Sequence, residues 1–129
     1  MPLVRIDLAA DTTPEVVKAI GDVIYDAMTQ TANVPEDDKF QIVNRHAGDE
    51  LVYPAAGYLG VTYTSKIVFI QVTWSTGRTI EVKKAFYKAV ADGIHGKTGI
   101  RKEDVWISLV EVNREDWSFG GGEMQYAPK

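Results

Sequence analysis

The hydrophobic and polar positions repeat one order of elements twice along the chain. VRIDL (4–8) alternates as a short strand, and TPEVVKAIGDVIYDAMTQTA (13–32) carries apolar residues at helical spacing. DKFQIVNRH (38–46) reads as the next strand. A loop holding Pro54, Gly57 and Gly60 separates it from KIVFIQVTW (66–74), a continuous apolar strand. TIEVKKAFYKAVADGIHGK (79–97) is a second amphipathic helix, and DVWISLVEV (104–112) a fourth strand.

A single offset of 66 residues superposes the halves, carrying Thr13-x-Glu15-Val16-x-Lys18-Ala19 onto Thr79-x-Glu81-Val82-x-Lys84-Ala85. The same shift takes Val34 to Ile100, Asp38 to Asp104, Phe40 to Trp106 and Pro2 to Val68. One offset kept through strand, helix, loop and strand implies two tandem β-α-β units, about 2–46 and 68–112, with a tail over 113–129. Each unit joins parallel strands through a crossover helix. The expectation is a single α/β (α+β) domain over 1–129, a four-stranded mixed sheet with both helices on one face. The other face of that sheet needs cover from further subunits. The same element order also fits a ferredoxin-like binding module, so the residues that carry chemistry must separate the two.

Composition narrows the field. Hydrophobic residues make up 45% of the chain and charged residues 25%, an ordinary balance for a globular core. The net charge of −4 argues against nucleic acid as a partner. The absence of cysteine excludes disulfides, thiolate catalysis and thiolate-bound metals. No secretory signal pattern or membrane-length apolar run is present, which reads as a soluble cytoplasmic protein. His46 and His95 lie far apart without metal-ligand spacing, so neither a metal nor another cofactor is expected.

The candidate chemistry starts at the amino terminus, MPLVRIDL. Proline is an awkward strand starter, because it lacks an N–H. Pro2 is either an incidental first residue or, once Met1 is removed, a rigid secondary amine whose pKa falls on desolvation or beside cations. Arg78, in STGRTIE, sits between the third strand and the second helix. An arginine there either grips a carboxylate through two parallel hydrogen bonds or is an exposed loop residue. Asp38, in VPEDDKFQ, is a polarising or water-orienting carboxylate or part of a solvated acidic turn. In DWSFGGGEMQY (116–126), Trp117, Phe119 and Tyr126 are too apolar for a free tail. They either pack on the subunit's own core or cross to a neighbour and wall a pocket.

Together these residues resemble the tautomerase superfamily, tandem β-α-β proteins with a catalytic amino-terminal proline, and most of all its malonate semialdehyde decarboxylase-like branch. MPLVRIDL, VPEDDKFQ, GRTIEVKKAFYK, EDVWISLVEV and DWSFGGG carry that resemblance over essentially the whole chain. It implies that Pro2 is the catalytic proline, Asp38 the catalytic aspartate and Arg78 a carboxylate-binding arginine. It also implies that Trp117 and Phe119 form the aromatic wall, and that the chain assembles as a homotrimer. In the decarboxylase the loop reads Arg-x-Arg, whereas its first position here is Thr76. A lone arginine holds and polarises a β-keto acid less well. The expected activity is therefore keto–enol tautomerisation of a phenylpyruvate-like 2-keto acid. Decarboxylation or hydration is the alternative, and a non-catalytic ligand-binding or signalling module the second.

Overall fold

The computed structural model describes residues 2–127. Four strands and two long helices follow in the order β1 (Leu3–Ala9), α1 (Pro14–Thr31), β2 (Gln41–His46), β3 (Val68–Ser75), α2 (Ile80–Thr98) and β4 (Val105–Val112). Both helices begin as the repeat requires. The hydroxyls of Thr13 and Thr79 cap them by accepting from Val16 N at 3.3 Å and Val82 N at 3.2 Å. Each cap satisfies a backbone donor that the first turn leaves open.

The sheet has the order β2-β1-β3-β4. β1 is parallel to β2 with Val4 opposite Gln41, and β3 is parallel to β4 with Val68 opposite Val105. The two repeats meet through an antiparallel β1–β3 pair, with Leu3 opposite Thr73 and Asp7 opposite Phe69.

Strand periodicity sends alternate side chains to opposite faces. Val4, Ile6 and Leu8 of β1 and Val68, Ile70, Val72 and Trp74 of β3 are buried in one core with Ile20, Ile24 and Met28 of α1 and Phe86, Val90 and Ile94 of α2. Both helices therefore lie on one face. They cross closely where Gly93 of α2 meets Val23 of α1.

The opposite face carries Arg5 and Asp7 from β1, Phe69, Gln71 and Thr73 from β3, and Trp106, Ser108 and Val110 from β4. It is more mixed than the unbroken apolar run KIVFIQVTW suggests, since the helix-facing half of that run fills the core. Trp106 on this face is 42% exposed and Val110 38% exposed. Among the described residues no helix is long and apolar enough to cross a membrane.

Candidate active site

Sheet order decides which candidates meet. Because β1 lies between β2 and β3, its start is flanked by the start of β2 and the end of β3. Pro2 directly precedes β1 and is buried at this end. The end of β4 joins the same edge, where Thr76 N donates to the Val112 carbonyl at 2.9 Å. Pro2, Asp38, Arg78 and the aromatic tail thus gather at one end of the sheet.

Asp38 is held there by the turn leaving α1. The backbone takes positive φ at Asn33 (56°) and Asp37 (70°), conformations that Asn and Asp tolerate better than most residues. Asp37 N donates to the Tyr25 hydroxyl at 3.3 Å, and Lys39 Nζ to Asp22 at 3.0 Å, so α1 clamps the residues on either side of Asp38. Asp38 itself is only 8% exposed, which removes the solvated-turn reading. Burial pushes its carboxyl up from the usual range, against the opposing pull of the Arg78 charge.

Arg78 leaves β3 through a tight turn in which Gly77 has φ 117°. Its Nε donates to the Ala32 carbonyl at 3.2 Å and its Nη1 to the Ser75 carbonyl at 2.9 Å. Ala32 is the C-cap of α1, whose last turn holds no basic residue, so Arg78 also supplies the cation that a helix carboxyl end favours. The guanidinium lies 4.4 Å from the centre of the Trp74 ring. Burial lowers its pKa, opposed by Glu111 and Asp38, and a guanidinium stays charged through such a shift. Of its five N–H groups, two are committed to carbonyls. The other three, one on Nη1 and two on Nη2, have no acceptor among the described residues.

The tail packs on its own chain at this end, outside the helix–sheet core. Trp117 Nε1 donates to Ser75 Oγ at 3.3 Å. The Trp117 and Phe119 rings stack at 5.7 Å, and Tyr126 meets Phe119 edge-on at 5.0 Å. Arg114 closes the row, 4.3 Å over the Tyr126 ring. Gln125 bonds Phe119 N at 2.9 Å and the Gly120 carbonyl at 3.0 Å, folding the glycine run back on itself.

Ala32, Trp74, Ser75 and Glu111 surround Arg78 and were not singled out by the sequence. Trp74 ends an apolar strand and reads there as core, and a backbone carbonyl leaves no trace in residue type. His46 pairs with Asp7 at 2.7 Å and His95 with the Ile100 carbonyl at 2.9 Å, both apart from this site. A cavity of about 400 Å³ opens at the opposite end of the sheet, lined by Val61, Tyr63, Lys102 and Trp106 among others.

The tandem β-α-β fold defines a class, and sequence comparison places the chain in it. The chain belongs to the tautomerase family: a family model described as a tautomerase enzyme matches residues 38–120, and a second of the same description matches residues 2–53. It is 39% identical to the probable tautomerase YusQ of Bacillus subtilis over 125 residues, covering 97% of this chain and 98% of that one. Among solved structures, FG41 malonate semialdehyde decarboxylase inhibited by 3-bromopropiolate superposes with a TM-score of 0.88 at 36% identity, covering 96% of this chain and 93% of the other. A second malonate semialdehyde decarboxylase, with decarboxylase and hydratase activities, matches with a TM-score of 0.88 at 33% identity over 96% and 95% of the two chains. The protein is an enzyme of this superfamily.

Proposed function

We propose that the enzyme interconverts the enol and keto forms of a 2-keto acid of the phenylpyruvate type. The convergence of Pro2, Asp38 and Arg78 at one sheet end carries this reading. Arg78 holds the substrate carboxylate through the N–H groups that the Ala32 and Ser75 carbonyls leave open. Pro2, once Met1 has been removed, presents a secondary amine; Met1 itself lies outside the described residues. Burial favours the neutral form of an amine, the form able to act as a base. The amine takes the enol hydroxyl proton as the C=O bond forms, and returns a proton to the adjacent carbon as the C=C bond is lost. Trp117, Phe119 and Tyr126 line the approach for an aromatic substrate tail.

The second reading is decarboxylation or hydration of a β-keto acid, supported by the two decarboxylase structures that superpose over 96% of the chain. Thr76, which replaces the first arginine of the decarboxylase-like loop, weighs against it, since carbonyl polarisation then falls to Arg78 alone. The uncovered sheet face supports assembly as a homotrimer in either case.

The test is enol-phenylpyruvate ketonisation by wild type, Pro2→Ala and Arg78→Ala, with malonate semialdehyde as the rival substrate. The expected result is a loss of about 100-fold or more for Pro2→Ala and a raised KM for Arg78→Ala. Equal rates in all three would overturn the assignment, and faster turnover of malonate semialdehyde would favour the second reading.

A further inference from the structure

Trp74 differs from an ordinary core aromatic in two ways. It is fully buried and packs on Phe86 at 5.2 Å, yet among the described residues its indole N–H has no hydrogen-bond partner. A buried donor without an acceptor is destabilising, and a phenylalanine at this place would not carry that cost. The face of the same ring holds the Arg78 guanidinium, 4.4 Å from its centre. Of the aromatic side chains, indole offers the strongest attraction to a cation. The site therefore keeps the one aromatic ring that both burdens the core and best grips the arginine.

We propose that Trp74 is a positioning residue that fixes the plane of the Arg78 guanidinium and so makes the site selective for planar carboxylates. The geometry divides the work. The Ala32 and Ser75 carbonyls tether Nε and Nη1. Two such bonds still allow the plane to rock about the line joining the two donors. The Trp74 face, 4.4 Å from the guanidinium carbon, opposes this motion and leaves the remaining N–H groups aimed. Pre-orientation of that kind lowers the cost of binding a bidentate anion. The inference rests on the reading of Arg78 as the carboxylate anchor, and it names a residue that acts through Arg78 without touching substrate.

The test compares kcat/KM for enol phenylpyruvate and for its methyl ester in wild type, Trp74→Phe, Trp74→Leu and Arg78→Ala. The acid-over-ester preference is expected to fall about fivefold in Trp74→Leu and about twofold in Trp74→Phe, with the loss in KM for the acid. Trp74→Phe retains an aromatic ring and decides the matter if Trp74→Leu does not fold. Variants that keep the wild-type preference, even while slowing both substrates alike, would overturn the proposal and leave Trp74 a packing residue. A wild type without the preference, or an Arg78→Ala variant that retains it, would instead remove the carboxylate reading and this proposal with it.

Discussion

Asp38 and Asp104 stand 66 residues apart at the same station of the two repeats, and both are buried, at 8% and 0% exposure. They serve different ends. Asp104 accepts from Thr64 N at 2.7 Å and from Thr64 Oγ1 at 2.5 Å, which fastens the loop before β3 to the start of β4. Asp38 sits in the field of Arg78 with its carboxyl pushed upward. The repeat carries two buried carboxylates: Asp104 holds Thr64, and Asp38 lies at the sheet end where Pro2 and Arg78 gather. Asp104→Ala is expected to lower stability by about 2–4 kcal/mol in urea unfolding, since it removes two charge-assisted hydrogen bonds. In a double-mutant cycle with Thr64→Val, the part of that loss carried by the hydroxyl bond is shared between the two sites, while the bond from Thr64 N stays with Asp104 alone. Purely additive effects would contradict the pairing.

The shift at Asp38 fixes a sign for pH dependence. Its carboxyl binds a proton more tightly in the folded chain than in the unfolded one. It therefore favours the fold below the unfolded pKa, and that contribution is lost as pH rises through the folded pKa. Asp38→Asn removes this dependence. Urea midpoints of the variant relative to wild type are expected to rise across the upper carboxylate range and to level off above it. A difference that shrinks with rising pH would show that ionised Asp38 stabilises the fold.

Arg78 has a structural duty beside the substrate binding proposed for it. Its two bonds to Ala32 and Ser75 carbonyls tie the end of α1 to the end of β3. Arg78→Ala is expected to cost about 1–3 kcal/mol of stability as well as substrate affinity. Arg78→Lys keeps the charge but offers no planar fork for both carbonyls, and is expected to recover little of the affinity. Full recovery by lysine would mean that charge alone matters.

Two glycines separate the site from the scaffold. Gly77 has φ 117°, and a Cβ there would meet no atom within 4 Å, so Gly77→Ala strains the backbone without a clash. The cost of about 1–3 kcal/mol falls on the turn that aims Arg78, and KM is expected to rise with it. A Cβ on Gly93 would meet Val23 Cγ1 at 2.6 Å, so Gly93→Ala forces α1 and α2 apart. That variant is expected to lose about 1–3 kcal/mol of stability with KM held near wild type. Kinetics and urea unfolding of the pair check the contrast.

Much of the fold is legible in the sequence because the repeat is. Thr13 and Thr79, superposed by the offset, are both helix caps, and the periodicity placed α1 and α2 to within a residue or two. The start of β2 was less legible. DKF reads as strand, but Asp38 N turns back to the Pro35 carbonyl at 3.3 Å, and the strand begins at Gln41. The site was legible residue by residue and illegible as an arrangement. Whether Pro2 and Arg78 share an end depends on the antiparallel pairing of β1 with β3, a contact between repeats that no local pattern encodes. The Trp74 stack and the Ala32 carbonyl escaped for the same reason, since tertiary contact alone sets them beside Arg78.

The central claim is that the Pro2 amine is the base, and its most direct test leaves every side chain in place. Two preparations of the chain, one with Met1 removed and one with Met1 retained as verified by intact mass, are compared for enol-phenylpyruvate ketonisation. Retention turns the Pro2 nitrogen into a tertiary amide with no basicity. The processed chain is expected to turn over and the Met1-retaining chain to be slower by about 100-fold or more. Equal rates would contradict the account.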